Sequence, residues 1–378
     1  MVQICTRCIY DETIPGISFD DEGICNYCRE FERLEQEYPC GDKGWEKLQE
    51  IASDIKKSGK NKKYDCIVGV SGGCDSSYLL YLVKKRLGLR PLAVHYDNTW
   101  NSKIAVENIH QILKALDVDL YTHVADNEEF NDMSRSFLYA SVSDVDTTTD
   151  IGFITALYLA AEKYDVKYIL EGACFRTEGI TPLGWVYMDG KYIESVHKQF
   201  GQMKVEKYQN LTLLRWIYWL LKGIKRPRLM YYLDYNKEEV KKFLMTELDW
   251  QWYGGHHMEN RYAFFANNYM YPLKFKRDLR VVEFSALIRS GQMSRDDALK
   301  EIQTPPQFDD ELLDEIKKRL KLSDDDFRQI MDLPIKSYRD YETYRPTFIR
   351  LRPFFWLMYK ANLIPKAFYT KYANPEVE

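Results

Sequence analysis

An excess of positive charge is the first feature that this sequence lacks. Its 378 residues include 53 Lys and Arg but 57 Asp and Glu, giving a formal charge of -4. Nucleic-acid-binding domains usually carry a broad basic face, so this balance weighs against DNA or RNA as a partner. A long apolar run is also missing. No window approaches the roughly 20 apolar residues that a membrane span requires, and we expect no transmembrane segment.

The first residues of the chain resemble no secretory signal. Residues 1–5 have neither the basic start nor the apolar stretch of such a peptide. We therefore expect a cytoplasmic protein whose 8 cysteines are reduced and serve metal binding or chemistry. The composition, 45% apolar and 29% charged, is typical of a soluble globular enzyme.

Four of the cysteines form two C-x-x-C pairs near the start of the chain. Cys5 and Cys8 make the first pair, and Cys25 and Cys28 make the second. This spacing predicts a tetrahedral zinc ribbon with these four thiols as ligands. Four protein ligands leave no open coordination position, so we expect the Zn²⁺ to be structural. An iron–sulfur centre is the alternative, which no other feature of the sequence favours.

The chain is predicted to contain four consecutive regions. Residues 1–44 form the zinc ribbon and residues 45–63 a helical linker. Residues 64–205 alternate strand-like apolar runs with amphipathic helical stretches, which predicts an α/β domain with a doubly wound parallel sheet. Residues 206–378 lose this alternation and are predicted to be a mainly helical extension that binds substrate and partners.

A glycine-containing loop, S-G-G-C-D-S-S, follows the first predicted strand and opens a helix. Glycines let backbone N–H groups approach an anion, and the helix N-terminus adds partial positive charge. The loop has no Lys after its glycines, which excludes the loop that serves γ-phosphate transfer. We predict that it binds pyrophosphate through Ser71, Gly72, Gly73, Asp75, Ser76 and Ser77.

This loop resembles the S-G-G-x-D-S signature of the PP-loop ATP pyrophosphatase superfamily, which splits ATP into AMP and pyrophosphate. Asp75 would repel a bare phosphate, so its presence makes sense if it holds a bridging Mg²⁺. The carboxyl end of the second strand lies where α/β sheets bind ligands. In the superfamily that edge holds adenine and ribose, which implies this role for Val94, His95 and Asp97.

A second segment, G-A-C-F-R-T-E, follows the last predicted strand. It is similar to the G-T-x-N-x-x-E segment of NAD synthetases. The similarity implies that Gly172 lies at the ATP, that Arg176 contacts phosphate, and that Glu178 is a second Mg²⁺ ligand. Asp75, Arg176 and Glu178 would then be the catalytic residues. The alternative is that Glu178 is an ordinary loop glutamate and Arg176 an ordinary surface arginine, with no role in binding Mg²⁺ or phosphate.

The sequence also lacks a cysteine thiol placed to hydrolyse glutamine. Position 2 is Val instead of Cys, and Cys74 and Cys174 lack the context of a nucleophile elbow. If the attacking nucleophile is ammonia, a partner protein must supply it.

Further motifs narrow the resemblance. C-T-R-C-I-Y-D, C-N-Y-C, the S-G-G-C-D-S-S loop, Y-G-G-H-H-M-E-N-R and L-I-R-S-G-Q-M-S-R occur in this order. To about residue 305 the chain resembles the N-acetyl sugar amidotransferases of bacterial surface-polysaccharide biosynthesis. That family adenylates the acetamido oxygen of an N-acetylated nucleotide sugar and replaces it with ammonia, giving an acetamidino group, AMP and pyrophosphate.

The resemblance implies ATP, Mg²⁺ and Zn²⁺ as cofactors. It also implies two partners that deliver ammonia, a glutaminase subunit and a cyclase-like subunit, both resembling those of imidazole glycerol phosphate synthase. For this chemistry we assign substrate binding to His256, His257, Glu259, Arg261, Lys274 and Arg277. Two alternatives are open. The histidines could be a general base or metal ligands, and the basic cluster of Lys274, Lys276, Arg277 and Arg280 could be a solvated helix face.

Three further alternatives stay open. Residues 211–233 are apolar, aromatic and basic, and we expect them to pack in the core, although a membrane surface or a partner would also fit. A tRNA-thiolating PP-loop enzyme is a second candidate function, but Cys174 has no companion for the cysteine pair it would need. A non-catalytic nucleotide-binding module is a third, which the complete loop disfavours.

Overall fold

The structure, a computed structural model, describes residues 2–255, 258–360, 364 and 368–373. The chain divides into two compact units. The first contains residues 1–124, 156–180 and 226–308, and the second contains residues 125–155, 181–225 and 309–378. Each unit is built from three separate stretches of the chain, whereas the sequence predicted four consecutive regions. The boundaries of those regions stay a prediction.

A parallel sheet of four strands organises the first unit. Its strands are β1 (Cys66–Gly69), β2 (Pro91–Asp97), β3 (Leu120–Val124) and β4 (Ile169–Leu170). Their spatial order is β3-β2-β1-β4, with every neighbouring pair parallel. All of β1 is buried, as expected of a central strand in a covered parallel sheet. The predicted α/β class with a parallel sheet is confirmed.

Helices make up most of the remaining described chain. They are α1 (Asn26–Glu37), α2 (Gly41–Ser58), α3 (Cys74–Tyr81), α4 (Lys103–Leu116), α5 (Asn127–Ala140), α6 (Thr147–Lys163), α7 (Gly190–Phe200), α8 (Leu213–Leu221), α9 (Lys237–Glu247), α10 (Arg261–Phe265), α11 (Tyr271–Leu273), α12 (Arg280–Arg289), α13 (Arg295–Glu301), α14 (Asp310–Arg319), α15 (Asp324–Asp332), α16 (Arg345–Arg350) and α17 (Arg352–Lys360). The described carboxyl-terminal part is helical, as predicted. Within the described ranges, no helix is long and apolar enough to cross a membrane.

The core of the first unit joins the sheet to distant parts of the chain. Val68 of β1 and Leu79 of α3 share one buried cluster with Leu244 of α9 and with Trp250. Residues 229–250 therefore contribute to the hydrophobic core beneath the glycine loop. The sequence placed this stretch in an extension beyond the sheet domain, because its contacts with the sheet leave no local pattern.

The second unit has a core rich in aromatic rings. Tyr192 of α7, Phe348 of α16 and Phe355 of α17 are buried in one cluster. Polar caps fix the helix starts around it, including a capping box at α15 in which Ser323 and Asp326 bond reciprocally. The many aromatic residues of the later chain thus serve largely as core.

Candidate active site

The glycine loop lies where the strand order of the sheet reverses. It joins β1 to α3, and β1 has β2 on one side and β4 on the other. Ligands of open α/β sheets bind at such a switch point, outside the carboxyl ends of the strands. The architecture therefore places the predicted phosphate loop at the position where this type of sheet binds ligands.

Gly72 adopts a backbone conformation that only glycine tolerates here. Its φ is +81°, and a Cβ would lie 2.2 Å from the carbonyl oxygen of Ala105. The carbonyl of Gly72 accepts hydrogen bonds from Nε1 of Trp250 at 2.9 Å and from Nδ2 of Asn108 at 3.3 Å. Gly172 approaches the same loop, since its Cβ would lie 2.7 Å from the backbone nitrogen of Ser76. The loop is thus held from several sides.

Serine hydroxyls gather at the N-terminus of α3. The hydroxyls of Ser71 and Ser76 lie 3.3 Å apart, and the backbone N–H of Gly73 donates to Oγ of Ser71 at 3.2 Å. Ser77 continues the first turn through a bond from its N–H to the carbonyl of Gly73. Hydroxyl and N–H donors at a helix N-terminus form an anion-binding arrangement.

Asp75 belongs to a partly buried network of charged groups. The hydroxyl of Tyr235 donates to Oδ1 of Asp75. Lys237, at the start of α9, is buried with its Nζ 3.2 Å from Oε1 of Glu283. Burial by itself lowers the pKa of Lys237, but the carboxylates of Asp75, Glu283 and Glu178 raise it well above its ordinary value. The ammonium group therefore stays charged, and both predicted Mg²⁺ ligands act on it.

The predicted substrate residue Glu259 lies beside the loop. A Cβ on Gly73 would be 3.6 Å from Oε1 of Glu259 and 3.3 Å from the hydroxyl of Tyr253. Burial raises the pKa of Tyr253, and the negative charges of Glu259 and Asp75 add to this effect. The phenol hence stays protonated as a donor at the loop.

Backbone bonds fix the segment around Glu259 against the end of β2. The N–H of Ser102 donates to the carbonyl of Glu259 at 2.9 Å, and the N–H of Arg261 donates to the carbonyl of Trp100 at 2.8 Å. The predicted sugar-binding residues His256 and His257 lie outside the described residues.

The carboxyl end of β2 carries a buried polar group. Nδ1 of His95 lies 3.0 Å from the carbonyl oxygen of Val70, and its Nε2 lies 3.2 Å from Nδ2 of Asn101. That amide also donates to Oδ1 of Asp97 at 3.0 Å. Burial lowers the pKa of His95, so the ring is neutral at pH 7. Val94 lies on the same strand, where its carbonyl accepts from the N–H of Val70.

The predicted cations have different surroundings. Arg176 is buried, and its guanidinium donates to the carbonyls of Tyr231 at 2.6 Å and Tyr38 at 3.1 Å. These bonds give Arg176 a structural role, and its phosphate contact stays a prediction. Lys274 is buried, whereas Arg277 is half-buried. Lys274 is therefore not part of a solvated face, whereas Lys276 of the same cluster is exposed.

The four N-terminal cysteines converge on one point. All are fully buried, and their sulfur atoms lie within 4.8 Å of one another. Backbone N–H groups of Cys8 and Tyr10 point at the sulfurs of Cys5 and Cys8. Four thiols at this spacing fit a tetrahedral Zn²⁺. The cluster is consistent with the predicted zinc ribbon.

Two arginines of the L-I-R-S-G-Q-M-S-R motif support this cluster. Arg289 donates from Nε to the sulfur of Cys28 at 3.2 Å and from Nη2 to the sulfur of Cys8 at 3.1 Å. Arg295 donates from Nη2 to the carbonyl of Cys5 at 3.0 Å. The sequence carries the motif but gives no sign that it serves the cysteines.

Together these features define a parallel α/β protein with a glycine loop at the switch point of its sheet, a Cys₄ cluster and a helical carboxyl-terminal part. Residues 259–354 match the model of the C-terminal domain of WbpG-like LPS biosynthesis proteins. This part of the chain is therefore similar to that domain. The match agrees with the resemblance to surface-polysaccharide proteins seen in the sequence.

Other relatives cover more of the chain. An uncharacterised protein of Methanocaldococcus jannaschii is 25% identical over 325 residues, which span 83% of this chain and 98% of that protein. The NMN synthetase of Francisella tularensis has a TM-score of 0.28 at 16% identity, covering 54% of this chain and 87% of its own. The NH3-dependent NAD synthetase of Campylobacter jejuni has a TM-score of 0.29 at 14% identity. This match covers 70% of this chain and 99% of the synthetase chain.

Proposed function

We propose that this protein is an AMP-forming, ATP-dependent carbon–nitrogen ligase of surface-polysaccharide biosynthesis. It adenylates the acetamido oxygen of an N-acetylated nucleotide sugar and replaces that oxygen with ammonia. The observation that carries the proposal is the loop from Ser71 to Ser77 at the switch point, with Asp75, Glu178 and Lys237 gathered at it. ATP and nucleotide sugars as substrates imply a cytoplasmic location.

The first step is adenylation. The acetamido oxygen attacks the α-phosphorus of ATP, the bond from that phosphorus to the bridging oxygen breaks, and pyrophosphate leaves. Backbone N–H groups and hydroxyls of the loop bind the pyrophosphate. Asp75 and Glu178 would hold Mg²⁺, which neutralises charge on the phosphates when bound. Lys237 adds a fixed positive charge where negative charge develops.

The second step is substitution by nitrogen. Ammonia adds to the activated carbon, the carbon–oxygen bond breaks, and AMP leaves with the former acetamido oxygen. Loss of a proton from nitrogen leaves the acetamidino group. Glu259 lies beside Gly73, where it can contact the sugar or accept this proton. A glutaminase subunit and a cyclase-like subunit are proposed to deliver the ammonia.

The cysteines weigh against the tRNA-thiolating alternative. Sulfur transfer needs a reactive thiolate, which a lowered pKa favours. Burial raises the pKa of Cys74 to about 12 and that of Cys174 to about 12. Neither thiol is ionised at neutral pH in this environment.

The test supplies the purified protein with ATP, Mg²⁺, ammonium and a panel of N-acetylated nucleotide sugars. Pyrophosphate release that depends on a sugar, together with replacement of oxygen by NH in its mass spectrum, is the expected result. Asp75→Asn should abolish both signals, while Asp42→Asn on α2, outside the site, should leave them unchanged. Thiolation of tRNA without any amidine product would overturn the proposal.

A further inference from the structure

The outer face of α8 exposes large apolar side chains. Leu214 and Leu221 are 80% and 83% exposed, and Tyr218 between them is also exposed. These positions are four and three residues apart, so they share one face of the helix. Trp219 is fully buried, and Trp216 and Leu220 pack against the aromatic core of the second unit.

Helix α17 likewise has one set of buried apolar side chains and one set of exposed ones. Phe355 and Met358 are buried in the aromatic core. Phe354, Trp356 and Leu357 are exposed, with Leu357 at 60%. Helix α17 therefore carries more apolar side chains than the core of the unit buries.

The two helices are neighbours within the second unit. The ring of Trp216 stacks on that of Phe355 with centroids 6.1 Å apart, and both rings contact Phe368. The exposed stripes thus belong to one packed helix pair. Single exposed apolar residues are ordinary, but a concentration of leucines and aromatic rings on adjacent helices marks an interaction surface.

Charge on these segments is of one sign. Residues 211–225 and 345–360 contain no Asp or Glu, although the whole chain has a net charge of -4. Their cations are Arg215, Lys222, Lys225, Arg345, Arg350, Arg352 and Lys360. Lys222 lies over the ring of Tyr218 and Lys360 over that of Trp356, with Nζ 4.6 Å and 5.6 Å from the ring centroids. Cations hence border the exposed rings.

We propose that α8 and α17 form a surface that binds an anionic lipid bilayer. Apolar and aromatic side chains would enter the boundary between headgroups and acyl chains, while lysines and arginines contact lipid phosphates. Rings with adjacent cationic ends are suited to this boundary, because one end is apolar and the other stays in water. This inference is independent of the proposed ligase activity.

The experiment sediments the full chain with large vesicles. One set is phosphatidylcholine alone, and the other is an equal mixture of phosphatidylcholine and phosphatidylglycerol. The protein should sediment with the mixed vesicles, less at high salt, and not with phosphatidylcholine alone. The double variant Leu214→Ser, Leu221→Ser should bind the mixed vesicles roughly tenfold or more weakly, because two exposed leucines no longer leave water on binding.

Matched controls separate this surface from general stickiness. Ile335→Ser removes an exposed apolar side chain outside both helices and should leave vesicle binding unchanged. Lys222→Gln with Lys360→Gln should weaken binding, whereas Lys204→Gln should not. All variants change exposed positions, and thermal melting confirms that they fold.

Two results would overturn the proposal. One is no sedimentation with the anionic vesicles, or sedimentation that the leucine variant does not reduce. The other is that the protein forms an oligomer in solution and the leucine variant is a monomer, which would identify the surface as a protein interface instead.

Discussion

Replacing Lys237 by Met removes the ammonium group from the three carboxylates described above. Its Nζ lies 3.2 Å from Oε1 of Glu283, and the two side chains are only 9% and 16% exposed, so water screens the pair weakly. Breaking a buried ion pair on one side costs about 3–5 kcal/mol, since the remaining charge is uncompensated. We therefore expect the free energy of unfolding to fall by at least about 3 kcal/mol.

The assay is urea unfolding at neutral pH, with Lys242→Met as the matched control on the exposed side of α9. That control should stay within about 0.5 kcal/mol of the parent. Glu283→Gln in the Lys237→Met background should cost less than the sum of the two single changes, because it removes one of the uncompensated charges.

Activity gives a second readout of the same change. Pyrophosphate release should fall by about a hundredfold or more, since a fixed positive charge at the phosphates is lost. If Lys237→Met unfolds and turns over like Lys242→Met, the argument that this lysine balances the site's carboxylates is refuted.

Three further predictions follow from single contacts. Gly72→Ala should destabilise the fold by about 2 kcal/mol more than Gly88→Ala in urea unfolding, because both glycines have positive φ but only Gly72 has a carbonyl 2.2 Å from the added Cβ; equal losses would contradict this. Arg289→Met should speed zinc release to a chelator by roughly tenfold, and an unchanged rate would exclude its support of the thiolates. Burial lowers the pKa of His95 below the ordinary value of 6.5, so the unfolded chain takes up the proton at a higher pH than the folded chain does. The free energy of unfolding should therefore decrease as the pH is lowered below 6.5. In His95→Gln that fall should be smaller, as followed by unfolding at pH 7 and pH 5.

The strands and the loop could be predicted because their signals are local. The run from Ile67 to Val70 is apolar, and the glycines and serines follow it at once. The two C-x-x-C pairs are equally local, and the structure brings all four sulfurs together. Such patterns need only a few consecutive residues to be recognised.

The rest of the site depends on contacts between distant residues. Tyr235 meets Asp75 across 160 positions, and Arg289 meets Cys28 across 261. Lys237 follows Asn236 at the start of a helix, where a lysine ordinarily points into water, and nothing nearby in the sequence indicates its burial. Arg176 illustrates the opposite case, because its motif predicts phosphate while the fold gives its guanidinium to backbone carbonyls.

The path of one oxygen atom tests the central claim most directly. The purified protein receives ATP, Mg²⁺, ammonium and an N-acetylated nucleotide sugar whose acetamido oxygen is isotopically heavy. The account predicts that the heavy oxygen appears in the phosphate of AMP, because the acetamido oxygen attacks the α-phosphorus and leaves with it. Heavy oxygen found in water, in pyrophosphate or still in the modified sugar would contradict it.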